Sequence, residues 1–314
     1  MSYVKPAELV TRMVDAGAYK MQLSARDTLI RAFMGAALLT MAAAFAVTVS
    51  TNTGQPLLGA VLFPVGFVIL YLFGFDLLTG VFTLTPLAVL DKRPGATVGA
   101  MFRNWGLVFL GNFGGAFMVA ILMAIYFTYG FSTEPSAVGQ AIGEIGHGRT
   151  VGYADHGAAG MLTLFIRGVL CNWMVSTGVV LSMVSDNVVA KILAMWLPIM
   201  LFFYMGFEHS IVNMFLFPSG LLLGADFTIM DYLIWNEIPT VIGNLVGGLL
   251  FVGLPLFITY GRTSARRSRG VRPSATQSAP AAAPSAAGQS AAGPIVQPVF
   301  AAGDPTEREP VGIG

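Results

Sequence analysis

Gly74-Phe75-Asp76-Leu77-Leu78-Thr79 and Gly206-Phe207-Glu208-His209-Ser210 are near-copies, each set inside an apolar run long enough to cross a bilayer. Ten residues separate each acid from a proline, Asp76 from Pro86 and Glu208 from Pro218, and the same 36-residue step leads from each acid to Asn112 and Asn244. The chain therefore carries an internal repeat. Glycine and ionisable groups at membrane depth interrupt a helix, and such irregular backbone is tolerated only inside protein or beside a wet cavity. Two interrupted spans in matching halves are the sequence sign of a midplane permeation or binding site.

Composition sets the solvent. With 55% hydrophobic and only 11% charged residues, against about 25% charged for soluble domains, the chain must use lipid to cover its apolar surface. A net charge of +1, with no basic run interleaved with aromatics, gives no sign of nucleic-acid binding. Cys171 is the single cysteine, so an internal disulfide or a thiolate metal cluster is excluded. No cofactor or metal is expected.

Six apolar stretches appear, at about 28–50, 57–90, 101–129, 159–184, 190–222 and 238–260, where one span takes roughly 17–25 residues. The second and fifth are too long for one span, and each holds the Gly-Phe-acid interruption. The expected fold is an all-α membrane protein of six transmembrane helices in a 3+3 inverted repeat, with the second and fifth helices broken. Lys5, Arg12, Lys20, Arg26 and Arg31 precede or open the first span, and Lys92, Arg93, Arg103 and Lys191 fall on the same side. The 131–158 loop opposite carries only Arg149. The positive-inside rule then puts both termini in the cytoplasm. Residues 1–27 read as a cytoplasmic amphipathic helix without the short apolar core of a signal peptide, 28–262 as the channel, and 263–314, rich in Ala, Pro, Ser and Gly, as a disordered tail.

His209 is the one histidine within an apolar span, beside Glu208 at an interruption. Intramembrane ionisable residues mark function by default, and imidazole exchanges protons near neutrality. Thr79 lies in the matching interruption. Asp76 and Glu208 are expected to accept bonds from backbone amides freed at the breaks. Asn112 and Asn244 would steady the broken segments or face the pore. Arg167 either snorkels outward or pairs with an acid. Gly111, Gly114, Gly115, Gly243, Gly247 and Gly248 allow close helix crossing.

The segment Gly206 to Phe215 resembles a signature of the formate/nitrite transporters. Arg167-Gly168-Val169-Leu170-Cys171-Asn172-Trp173, Gly111-Asn112, Ile242-Gly243-Asn244 and the Pro6–Lys20 segment are similar to further family pieces, over about residues 6–260. The resemblance implies an aquaporin-like protomer in a pentamer with one pore per subunit. It also implies that Thr79 faces a central His209, that Leu77 and Val175 belong to one apolar constriction and Phe63 and Phe202 to the other, and that Asn172 and Asn244 are polar pore sites. One departure stands out: the family commonly has a lysine before the fourth span, whereas Asp155-His156-Gly157-Ala158-Ala159-Gly160 has none.

The expected function is a channel for small monovalent anions of weak acids, formate and nitrite first, with acetate and hydrosulfide as further candidates. Proton linkage runs through His209, and the setting is a bacterial-type inner membrane. A neutral-solute channel shares the architecture, but the Asn-Pro-Ala repeats of aquaporins are missing. An intramembrane hydrolase using His209, Ser210 and Glu208 lacks a separate nucleophile motif.

Overall fold

The computed structural model describes residues 3–261; the proposed tail at 263–314 lies outside the described residues. The described residues are helical and carry no strand beyond one isolated bridge between Tyr3 and Ser185. Helix α1 (Pro6–Gln22) buries Leu9, Val10, Met13, Val14, Ala18 and Met21 as one stripe. Four long apolar helices follow: α2 (Ala25–Thr53), α5 (Val98–Phe127), α8 (Gly157–Leu181) and α11 (Ile229–Gly261), each able to cross a membrane by length and composition. Between them lie two interrupted pairs, α3 (Pro56–Leu72) with α4 (Leu78–Leu90), and α9 (Val188–Tyr204) with α10 (Ser210–Leu222).

The interruptions share one construction. Phe75 N–H bonds to Leu70 O at 2.9 Å and Phe207 N–H to Phe202 O at 3.1 Å, after Gly74 and Gly206 at φ 73° and 65°. That left-handed conformation ends a helix cheaply only at glycine. The chain then crosses in extended form to a second helix start at Leu78 or Ser210.

Two differences from the sequence reading concern the outer segment and the last span. The 131–158 loop folds into α6 (Ala137–Gly148) and the short α7 (Val151–Ala154). Helix α6 buries Val138, Gly139, Ile142, Gly143 and Gly146. That stripe is helical in period, and its glycines hide it from a hydrophobicity reading. Helix α11 starts at Ile229 rather than near 238, because Thr228 and Asp231 close a capping box at 3.1 and 2.8 Å. It runs on through π-helical turns at Leu233–Glu237 and Leu249–Gly253, next to Pro239 and Pro255.

Candidate functional site

Helices α4 and α10 start where the two breaks meet. Their first free amides need acceptors, since unpaired peptide groups in an apolar core cost about 1–3 kcal/mol each. Asn112 Oδ1 takes Leu78 N–H at 2.8 Å, and Asn244 Oδ1 takes Ser210 N–H at 3.0 Å. Each amide nitrogen then donates twice: Asn112 to Ala32 O at 2.7 Å and Asp76 O at 3.0 Å, Asn244 to Gly168 O at 2.8 Å and Glu208 O at 2.9 Å. One asparagine per half staples break, long helix and neighbouring helix together. Asn172 adds a cross-half staple, donating to Thr79 O at 3.1 Å and Asn244 O at 2.6 Å, with Ser176 donating to its Oδ1 at 3.2 Å. Asn172 and Asn244, expected to face the pore, thus have their amide groups occupied by protein.

His209 is buried and caps α10: its Nδ1 accepts from Ile211 N–H at 3.2 Å and Val212 N–H at 3.4 Å. That fixes the neutral tautomer with the proton on Nε2, and Nε2 lies 3.4 Å from Thr79 Oγ1. Two helix N-termini, with their partial positive charge, therefore flank one donor pair. Phe202 stacks on the imidazole at 5.5 Å and meets Phe63 edge-on at 5.6 Å. Leu77 and Val175 are both buried in the main apolar core. Ser210 Oγ has no hydrogen-bond partner among the described residues and His209 Nδ1 points at backbone, so the trio Glu208, His209 and Ser210 does not form a relay.

A cavity of about 450 Å³ reaches this point, lined by His209, Phe202, Phe203, Phe207, Arg149 and Glu144 among others. The acids do not take the freed amides as expected. A buried carboxylate needs cations or several donors, and each finds them in side chains. Asp76 pairs with Lys20 of α1. Glu208 accepts from Tyr153 OH at 2.7 Å, Asn213 at 3.0 Å, Asn236 at 3.2 Å and Arg149 at 3.4 Å. Arg167 joins through the Tyr153 hydroxyl at 2.8 Å and lies 5.7 Å from its ring centroid, so it pairs with an acid at one remove. Burial, and then the Glu208 charge, push the Tyr153 phenol up, which keeps it a donor.

Tyr153, Asn213, Asn236 and Arg149 were missed in the sequence. Two carried a signal: Arg149 as the lone basic residue of the 131–158 loop, and Asn213 five residues past Glu208 inside the signature segment.

A family model described as formate/nitrite transporter matches residues 7–258. The chain belongs to that family. It is 31% identical over 284 residues to the formate channel FocA of Escherichia coli (strain K12), covering 82% of this chain and 94% of that protein. A probable formate transporter of Methanothermobacter thermautotrophicus is 37% identical over 209 residues, 64% of this chain and 74% of its own length. A solved structure described as a pentameric formate channel with formate bound superposes with a TM-score of 0.62 at 24% identity, covering 75% of this chain and 97% of that one. That likeness supports the fold, and the family is one of membrane transport proteins.

Proposed function

We propose that this chain forms a pentamer of channels for small monovalent anions of weak acids, formate and nitrite foremost, with acetate and hydrosulfide as further solutes. Residues 28–262 form each channel, and 1–27 are its cytoplasmic N-terminal helix. Each interrupted pair counts as one crossing, giving six, with both termini on the inner face of a bacterial-type cytoplasmic membrane. The observation that carries the reading is the Thr79–His209 pair, 3.4 Å apart between two helix N-termini at the end of a cavity. The likeness to proteins described as formate channels points the same way.

A bare anion loses its water between apolar rings at a large cost. Phe63 and Phe202 strip that water on one side, and Leu77 and Val175 do so on the other. The Thr79 hydroxyl and His209 Nε2–H replace part of the lost hydration, and the two helix ends add positive potential. Asp76 and Glu208 hold the two breaks in place through their side-chain partners, and Asn172 and Asn244 position the donors from behind. Neutral His209 has no proton to spare, because giving up Nε2–H would leave imidazolate. Proton linkage through this residue therefore requires a second proton at Nδ1, and that step frees the Ile211 and Val212 amides. The relay is thus tied to a loosening of the α10 start.

Uptake of labelled formate into proteoliposomes across pH tests this. His209→Phe deletes a donor to an anion, worth about 1.5–3 kcal/mol, so flux falls roughly ten- to hundredfold. His209→Asn keeps a neutral donor and loses the relay, so flux persists with a flattened pH profile. An unchanged profile in His209→Asn with intact oligomers would remove the proton role.

A further inference from the structure

The two breaks carry different charge balances, and the difference falls on the cavity side. Asp76 faces one cation, Lys20. Glu208 is approached by Arg149 directly and by Arg167 through Tyr153, two guanidinium groups for one carboxylate. Arg149 is also the least committed of the Glu208 partners. Its contact is the longest at 3.4 Å, while Tyr153, Asn213 and Asn236 supply donors at 2.7–3.2 Å without it. The backbone of Arg149 is nonetheless fixed from both sides, its N–H on Ile145 O at 3.0 Å and its C=O accepting from Asn236 at 2.9 Å. A secured backbone thus carries a side chain that is 24% exposed and lines the same cavity as His209 and Phe202.

The geometry points to Arg149 as the anion-capturing residue of the outer cavity, holding a carboxylate-like solute ahead of the Phe202 ring. A guanidinium has five N–H donors in a planar fork. One is spent on Glu208, and the others remain for a monovalent anion in the charge-assisted geometry that arginine favours. Two guanidinium groups, Arg149 by direct contact and Arg167 through the Tyr153 hydroxyl, share the single Glu208 carboxylate, so the cluster keeps a net positive charge at the cavity wall. Glu144, on the same wall, is the acid that opposes it. The inference rests on the anion-channel reading and adds to it which residue sets apparent affinity from the cavity side.

Formate uptake by proteoliposomes over a range of concentrations and ionic strengths tests it. Arg149→Gln raises KM on the order of tenfold while Vmax stays within about twofold, because focusing by charge acts on capture rather than passage. Arg149→Lys recovers part of the loss. Salt slows low-concentration uptake in the wild type and much less in Arg149→Gln. Glu144→Gln, on the exposed face of α6, lowers KM, an opposite shift that a merely structural Arg149 would not produce. Wild-type KM in Arg149→Gln overturns the inference, as does a fall in Vmax alone that lysine does not rescue or an unmoved KM in Glu144→Gln. No anion uptake by the wild type overturns the channel reading and this inference with it.

Discussion

At the scale of single residues, the freed amides at the two breaks are taken by asparagines rather than by the acids beside them. Asn112 and Asn244 each make three bonds to backbone groups that have no water to fall back on. Replacing either by leucine orphans one N–H and the carbonyl of Asp76 or Glu208 at the break, and strips a second bond from the helical carbonyl of Ala32 or Gly168. At about 1–3 kcal/mol per orphan, Asn112→Leu and Asn244→Leu should each destabilise by on the order of 3 kcal/mol or more, equally in the two halves. Thermal melting and oligomer retention of purified protein in detergent would measure it. Intact stability with altered anion selectivity would instead mean that these amides face the solute. The asparagines were legible from their common spacing, but their bonds were not, because a buried carboxylate was the obvious taker for a freed amide. The desolvation cost of a charge reverses that choice. Asp76 and Glu208 draw in Lys20 and Arg149, which come from segments 56 and 59 residues away, so no local pattern could show them.

At the scale of elements, the repeat is written in how the long helices cross. A Cβ on Gly115 would strike Phe33 O, and one on Gly247 would strike Val169 O. Gly111 meets Leu29 O and Ala32, and Gly243 meets Phe165 O and Gly168. The two crossings, α2 with α5 and α8 with α11, are thus the same contact made twice. Gly106, in the same helix as Gly115, has open space around it. Gly115→Ala and Gly247→Ala should therefore destabilise by about 1–3 kcal/mol through forced backbone shifts. Gly106→Ala should be neutral or stabilise by up to about 1 kcal/mol, the helix propensity gain. Detergent melting curves of the three variants separate the outcomes, and equal effects at all three positions would deny the crossings their role. Breaks and crossings were readable in advance because glycine, acid and proline recur at fixed steps. Helix α6 was not, since three of the positions on its buried stripe are glycines that carry no hydrophobic signal.

At the scale of the whole molecule, α1 packs on α4 as α6 packs on α10, and α1 also ties the two halves together. Its Gly17 sits against the Leu84 carbonyl and Thr85 of α4, and Lys20 reaches the Asp76 break. Asp15 pairs with Arg93 at 2.9 Å after α4, and Arg12 with Asp186 at 2.8 Å in the turn between α8 and α9. The backbone adds Val4 N–H to Val184 O at 2.9 Å. Arg12, by hydrogen bond and then by charge, holds Asp186 below its ordinary 3.8. A depressed carboxylate contributes its stabilisation fully above the unfolded value and loses it only as pH falls through the lower folded one. The Arg12–Asp186 tie is therefore closed throughout the window from about pH 5 to 8 where histidines titrate. A pH response of flux in that window has to arise elsewhere, and His209 Nδ1, with its two backbone amides, is the group proposed above to take the second proton. Asp186→Asn should speed protease cleavage around α1, because one tie is gone, yet leave the pH profile of formate uptake where it was. A profile displaced by Asp186→Asn would move the pH sensor from the pore to the N-terminal helix.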